Sequence, residues 1–127
     1  MGLVVAPSDL NLVIYQGASL QRTWIWVYGP DEETAVPVDL TSATARAQVR
    51  RTRASRDVLL AMTSAGGEIS LSALGEIHMH VPVAVTATLP TLPVGVKAFW
   101  DLEIVWPDDD VCRLLHGRVT ISPEVTR

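Results

Sequence analysis

The sequence predicts one domain folded as an antiparallel β-sandwich of about eight short strands. Apolar and polar residues alternate along many short segments, and turn residues separate these segments at intervals of roughly 8–12 residues. No long amphipathic pattern of helical period interrupts them. The 127 residues, 48% of them hydrophobic, suffice for one domain with its own core. We therefore expect a sandwich over residues 10–127, preceded by an N-terminal arm over residues 1–9.

The first third of the chain predicts the arm and two strands. The arm is apolar at Leu3, Val4 and Val5, so we expect it to dock on its own domain or on a neighbour. Residues 10–16 alternate as a first strand, and residues 20–28 form a second, with Trp24, Trp26 and Tyr28 on one face. Proline at position 37 marks residues 36–41 as a sheet edge or a connector.

The middle of the chain predicts further strands and one helical turn. Residues 44–53 fit a strand with small side chains inward and arginines outward, although an alanine-rich helix is the competing interpretation. We favour the strand, because the outward residues recur at every second position. Residues 58–63 predict another strand, and residues 68–71 and 76–81 a hairpin. Residues 83–89 are small and apolar enough for one helical turn.

The clearest pattern is a hairpin close to the C-terminal end. Residues 98–106 and 111–121 alternate as two strands, and Pro107 with three aspartates supplies turn chemistry between them. The predicted core face of the first strand is formed by Ala98, Trp100, Leu102, Ile104 and Trp106, opposite Lys97, Asp101 and Glu103. On the return strand it is formed by Val111, Leu115, Gly117, Val119 and Ile121, opposite Cys112, His116, Arg118 and Thr120.

Composition excludes several classes of protein. The net charge of −4 argues against general nucleic-acid binding, and the single cysteine, Cys112, excludes an intrachain disulfide framework. The N-terminal residues lack the basic region of a signal peptide, and no apolar run reaches the roughly 18 residues of a membrane helix. We expect a soluble protein that is not secreted by a signal-peptide route.

Basic residues are concentrated in one short stretch. Five of the ten lie there, which leaves five basic residues against fourteen acidic ones in the remainder of the chain. Such asymmetry is typical of a docking face for an acidic partner, or for an acidic patch on another copy of the chain. An exposed strand edge protected from aggregation by charge explains it equally well. The five residues are Arg46, Arg50, Arg51, Arg53 and Arg56.

Three further groups of residues are candidate ligand sites. Four tryptophans (Trp24, Trp26, Trp100 and Trp106) suit either a sugar-stacking platform or a core, and we favour the core for at least two. His78 and His80 share a strand face, as two ligands of a metal ion could. Nothing in the sequence brings a third ligand, His116 or Glu76, close to them, so we favour exposed histidines without a metal. The three turn aspartates lack the spacing of a calcium loop, which favours a solvated turn.

Catalytic signatures are missing from the sequence. It contains no nucleophile elbow, no cysteine with a neighbouring histidine and no phosphate-binding glycine loop. Asp101 and Glu103 project from one strand face as a carboxylate pair does in glycosidases, but two acids on a wet strand face are common. We therefore expect no enzyme activity, no cofactor and no metal.

Four segments occur in a characteristic order: residues 16–20, 36–43, 98–104 and 114–127. In this order they resemble small structural proteins of tailed bacteriophages and, more distantly, the N-terminal domain of phage baseplate upper proteins. This resemblance implies an Ig-like sandwich without an active site that joins tail, baseplate, fibre or capsid components within the virion, assembled in the host cytoplasm. A baseplate upper protein continues where this chain ends, so we expect a stand-alone adaptor or decoration piece, or a protein that recruits a separate fibre.

The expected partners are other virion proteins and further copies of the chain in a symmetric assembly, without membrane or nucleic acid. The alternative function is a carbohydrate-binding module that attaches to host glycans through exposed tryptophans. The candidate interface residues are Leu3, Val4 and Val5 in the arm, Arg46, Arg50, Arg51 and Arg53 in the arginine stretch, and Glu124, Val125 and Arg127 at the C-terminal end.

Overall fold

The computed structural model describes residues 2–4, 8–29, 31 and 33–126, the first of these stretches by its backbone alone. These residues form eleven strands and one short helix. The strands are β1 Gly2–Val4, β2 Ser8–Asp9, β3 Leu12–Tyr15, β4 Leu20–Tyr28, β5 Val36–Pro37, β6 Thr44–Arg50, β7 Val58–Thr63, β8 Ile69–Leu71, β9 Glu76–Val81, β10 Ala98–Val105 and β11 Val111–Ser122, and the helix, α1, is Val83–Thr86.

The strands form two sheets of a β-sandwich. The five-stranded sheet has the order β1-β4-β9-β8, with β5 paired to the end of β4. The six-stranded sheet has the order β2-β11-β10-β6-β7, with β3 also paired to β11. The predicted all-β sandwich is confirmed. The strands outnumber the predicted eight mainly because β1, β2 and β5 are pieces of two or three residues, too short to show alternation.

Two stacked tryptophans join the sheets at the centre of the core. Trp24 of β4 and Trp100 of β10 are 4% and 3% exposed, and their ring centroids lie 6.0 Å apart at an interplanar angle of 28°. Large rings bury much apolar area, so this pair is a major source of stability. Trp100 also donates a hydrogen bond from Nε1 to the carbonyl oxygen of Leu10, at 2.8 Å, which satisfies its buried N–H.

The predicted C-terminal hairpin is confirmed, with one correction. A register shift after Leu102 places two consecutive residues of β11, Leu114 and Leu115, in the core. An extra residue in one strand reverses which positions face inward beyond it. Val111 is therefore 43% exposed rather than on the core face, and Cys112 lies opposite the buried Ile104.

The faces of β4 also differ from the prediction. Trp24 is buried as expected and Trp26 is half-buried, but Val27 is buried and Tyr28 is 58% exposed. The change coincides with a change of partner. Residues 20–25 of β4 pair with β9, whereas Val27 and Tyr28 pair with β5.

The N-terminal segment pairs in parallel with strands of its own chain, which the purely antiparallel prediction did not include. Gly2–Val4 runs beside residues 24–26 of β4, and β2 and β3 run beside β11. A side chain at Gly117 would collide with the carbonyl oxygen of Leu10, so the glycine allows this segment to lie close against β11. No helix among the described residues is long and apolar enough to cross a membrane.

Candidate protein interface

One outer surface of the sandwich collects most of the chain's arginines. Ala45, Ala47 and Val49 of β6 point into the core, so the residues between them point outward from the six-stranded sheet. The same alternation directs Phe99, Asp101 and Glu103 outward from β10. We call this surface the arginine face and define it by Arg46, Arg50, Arg53, Arg113 and Arg118, with Gln48, Phe99, Asp101, Glu103 and His116 between them.

An open groove runs across the arginine face. Its volume is about 540 Å³, and its floor is β10 between β6 and β11. Arg50 and Arg53 line one side, and Arg113 and His116 line the other. A smaller depression of about 290 Å³ adjoins it beside Arg46. The groove is open and lined by charge, which suits a protruding polar segment better than an enclosed apolar ligand.

Two ion pairs cross the face between neighbouring strands. Arg46 Nε lies 2.8 Å from Glu103 Oε1, and these two residues are direct cross-strand neighbours. Arg113 Nε lies 3.7 Å from Asp101 Oδ2, a looser contact. All four side chains retain solvent contact, so each pair contributes at most about 1 kcal/mol to stability. Their main effect is to fix where the guanidinium groups lie.

The other arginines are held by uncharged groups. Arg50 donates from Nη2 to Gln48 Oε1 at 2.8 Å, and from Nη1 to the carbonyl oxygen of Ser55. The Arg53 guanidinium lies 5.1 Å from the centroid of the Phe99 ring, within range of a cation–π interaction. These contacts orient both guanidinium groups, and neither group belongs to the two ion pairs of the described residues, so both remain available to an acidic partner.

Asp101 is the central carboxylate of the groove. Partial burial raises its pKa above the ordinary value, and the negative charge of Glu103 raises it further. Arg113, Arg50 and His116 oppose that rise. His116 is the direct neighbour of Asp101 on β11, and its Nδ1 is buried without a hydrogen-bond partner among the described residues.

The arginine face carries an excess of positive charge on an acidic protein. Its five arginines outnumber the carboxylates of Asp101, Glu103 and Asp9, the last of which lies beside His116 on β2, whereas the whole chain has a net charge of −4. The acidic residues must therefore lie mainly elsewhere on the surface. One concentration is the turn between β10 and β11, where Asp108, Asp109 and Asp110 are all exposed.

The structure brings together three of the four predicted interface arginines. Arg46, Arg50 and Arg53 lie on the arginine face, whereas Arg51 is exposed in the loop after β6. The alternative of a charge-protected sheet edge is wrong for Arg46 and Arg50, because β6 lies between β10 and β7. Two members of the face, Arg113 and Arg118, were missed as interface residues. Only the pairing of β11 with β10 brings them there, although strand alternation already directed Arg118 outward.

The predicted terminal contacts lie elsewhere. Leu3 and Val4 belong to β1 and use their backbone in the five-stranded sheet. At the other end, the Glu124 N–H donates to Gln16 Oε1 at 3.2 Å, and Val125 is 90% exposed. Val5 and Arg127 lie outside the described residues.

The histidines do not converge. Residues Thr23 and His78 meet on the outer surface of the five-stranded sheet, with 2.7 Å between Oγ1 and Nδ1, and His80 is exposed on the same strand face. His116 belongs to the outer surface of the other sheet, across the core. No three His, Cys, Asp or Glu side chains of the described residues are grouped closely enough to hold a metal ion.

The tryptophans pack in two pairs. Trp24 and Trp100 are buried, which confirms the prediction that at least two belong to the core. Trp26 and Trp106 are half-buried against the core, with centroids 6.1 Å apart and rings tilted by 43°. A sugar-stacking platform needs exposed ring faces, and all four tryptophans are buried or half-buried.

The fold and this surface define a class of protein, an all-β sandwich with an arginine-rich sheet face. No family model matches the sequence, and no curated protein matches it.

Proposed function

We propose that the protein is a non-enzymatic structural subunit of a tailed-bacteriophage particle, an adaptor or attachment protein that joins virion components through protein–protein interfaces. The observation that carries the proposal is the arginine face. It places an excess of positive charge on one sheet surface of an acidic chain, with the guanidinium groups oriented by neighbouring side chains. Charge arranged in this way favours association with an acidic surface.

The interleaved carboxylates favour a protein partner over nucleic acid. Asp101 and Glu103 lie along the middle strand of the face, between arginines on both sides. A continuous phosphate backbone that crossed the face would meet this negative row, whereas a protein can place a short acidic segment beside the arginines and neutral groups opposite the carboxylates. The chain's net negative charge adds long-range repulsion of nucleic acid.

The contacts of the carboxylates support binding rather than catalysis. Glu103 is paired with Arg46, and Asp101 faces Arg113. In glycoside hydrolysis the two carboxyl groups flank the bond that is broken, whereas these two project side by side from one strand. Their geometry is that of a cross-strand charge ladder, which positions side chains on a sheet surface.

The assignment to a phage particle rests on the resemblance of the four ordered segments to phage structural proteins. The same resemblance implies the Ig-like form of the sandwich. Two of the segments contribute to the face. Residues 98–104 form its central strand, and residues 114–127 include His116 and Arg118. The resemblance thus falls partly on the residues that build the proposed interface.

Mass spectrometry of purified virions tests the proposal. We expect the protein in the particles at a fixed stoichiometry, and its consistent absence would overturn the assignment. A variant with Arg50→Gln, Arg53→Gln and Arg113→Gln should be incorporated at least about tenfold less, since several charged contacts to the partner are lost together. Arg22→Gln is the matched control, because Arg22 is exposed on the five-stranded sheet. It should be incorporated like the unchanged protein.

A further inference from the structure

We propose that the arginine face binds the acidic turn (Asp108, Asp109 and Asp110) of a second copy of the same chain. This inference deepens the proposed function, on which it rests, by naming one partner of the face. It predicts a head-to-tail contact in which every copy donates its turn to one neighbour and receives the turn of another.

The acidic turn presents its three carboxylates on a well-defined scaffold. Trp106 N–H donates to the Asp110 carbonyl oxygen at 2.9 Å, and Asp110 N–H donates to Asp108 Oδ1 at 3.0 Å. Asp109 has a φ of 67°, a left-handed conformation that Asp tolerates better than most residues. Little conformational entropy is therefore lost when the turn binds, which favours affinity.

The turn and the arginine face carry opposite charge. The turn carries three negative charges, and the groove is lined by three arginines, Arg50, Arg53 and Arg113, against the two carboxylates of Asp101 and Glu103. Neither Arg50 nor Arg53 takes part in the two ion pairs of the described residues. Guanidinium groups bind carboxylates with two parallel hydrogen bonds, so the turn can occupy the groove between Arg50 and Arg113.

The turn cannot reach the groove of its own chain. Both belong to the hairpin of β10 and β11, and the groove is centred on Asp101. Four residues of extended strand, about 13 Å, separate Asp101 from Val105, where the strand ends. Pairing with β11 and β6 keeps this stretch within the sheet as far as Val105, and the turn begins only beyond it. The contact must therefore join two molecules.

The turn and the groove are different surfaces, so the contact is heterologous. Such contacts close into rings when the rotation between copies allows it, and otherwise form open filaments. Both outcomes provide the repeated copies that a virion component requires. In a ring or within a filament, each copy binds one neighbour through its turn and another through its groove.

Paired variants test the contact directly. The turn variant Asp108→Asn, Asp109→Asn, Asp110→Asn removes three charges but keeps an oxygen that can accept the Asp110 N–H, and Asn tolerates the conformation of Asp109. The groove variant is Arg50→Gln, Arg53→Gln, Arg113→Gln. Glu33→Gln and Arg22→Gln change exposed charges elsewhere and serve as controls. Circular dichroism and urea unfolding establish that each variant is folded.

Sedimentation velocity then measures association at about 10 mM salt, where screening is weak, and at about 1 M, where it is strong. We expect the unchanged chain and both controls to associate with rising concentration at low salt only. Each triple variant alone should associate at least about tenfold more weakly. An equimolar mixture of the two variants should form a heterodimer and stop there, because it retains one intact turn and one intact groove.

Three results would overturn the inference: an unchanged chain that stays monomeric at low salt, variants that associate as the unchanged chain does, or a mixture without heterodimer. A monomeric chain whose groove binds a synthetic oligo-aspartate peptide would place the occupant in another protein. These outcomes are separate from the test of the proposed function. A chain found in virions that does not self-associate loses only this inference, whereas a chain that self-associates but is absent from virions loses only the phage assignment.

Discussion

The two outer sheet surfaces differ in chemistry although they enclose the same core. The arginine face combines five arginines, two carboxylates and an open groove. The corresponding surface of the five-stranded sheet carries Thr23, His78 and His80, with one short hydrogen bond between the first two. Both surfaces lie on strands whose other side is buried, so folding alone does not require the difference. The arginine face is therefore the surface on which partner selection would act.

The core beneath both surfaces depends most on Trp100. We expect Trp100→Ala to lower the free energy of unfolding by about 3–5 kcal/mol, because it removes a large buried ring and leaves a cavity against Trp24. It also leaves the Leu10 carbonyl oxygen without its indole donor. Urea unfolding measures the loss.

The matched control is Trp106→Ala, since Trp106 is only half-buried and packs at the periphery of the core. Its cost should be clearly smaller. Equal costs for the two substitutions would contradict the view that a single central tryptophan stack supports both surfaces.

Alternation predicted the fold where a strand keeps the same partners along its length. Residues 98–105 alternate without interruption, and every second side chain is buried as expected. The prediction failed for Val111 and Tyr28, where an extra residue or a change of pairing partner reverses the inward side. Such events depend on register with a distant strand, and no local pattern encodes them.

The candidate interface was predictable only in part for the same reason. Arg46, Arg50 and Arg53 are close in sequence, so their clustering could be predicted from the sequence alone. Arg113 joins them through two strand pairings, from β11 to β10 and from β10 to β6. The sequence predicted β10 as a strand of the C-terminal hairpin. Its position between β6 and β11, the two arginine-bearing strands, follows only from the sheet topology.

The pH dependence of stability tests whether the surroundings of Asp101 on the arginine face disfavour its charged form. Burial and Glu103 raise its pKa in the folded protein, so the folded state holds this proton more tightly than the unfolded chain does. The resulting stabilisation is present below the ordinary Asp pKa of about 3.9 and is lost as pH rises through the raised value. Asp101→Asn removes that dependence.

Urea midpoints between about pH 3 and pH 7 provide the measurement, across the range in which Asp titrates. We expect the difference in midpoint, variant minus unchanged protein, to shift in favour of Asp101→Asn as pH rises through the raised pKa. Glu33→Gln, on an exposed turn, is the control for a general loss of negative charge. A difference that shifted in the opposite direction would show that the arginines dominate the electrostatics of Asp101.

The smallest expected effect compares one arginine from each sheet. Arg46→Gln breaks the 2.8 Å ion pair with Glu103 and should lower the free energy of unfolding by about 0.2–1 kcal/mol, as for other exposed pairs. Arg22 donates only to the carbonyl oxygen of its neighbour Gln21 among the hydrogen bonds of the described residues, so Arg22→Gln should change stability by less than about 0.5 kcal/mol. In about 1 M salt the two variants should have similar free energies of unfolding, because screening weakens the ion pair and leaves the core unaffected. A larger loss for Arg46→Gln, or one that salt does not reduce, would mean that the arginine face is needed for folding. A small, salt-sensitive loss instead leaves the charges of the face available for a partner.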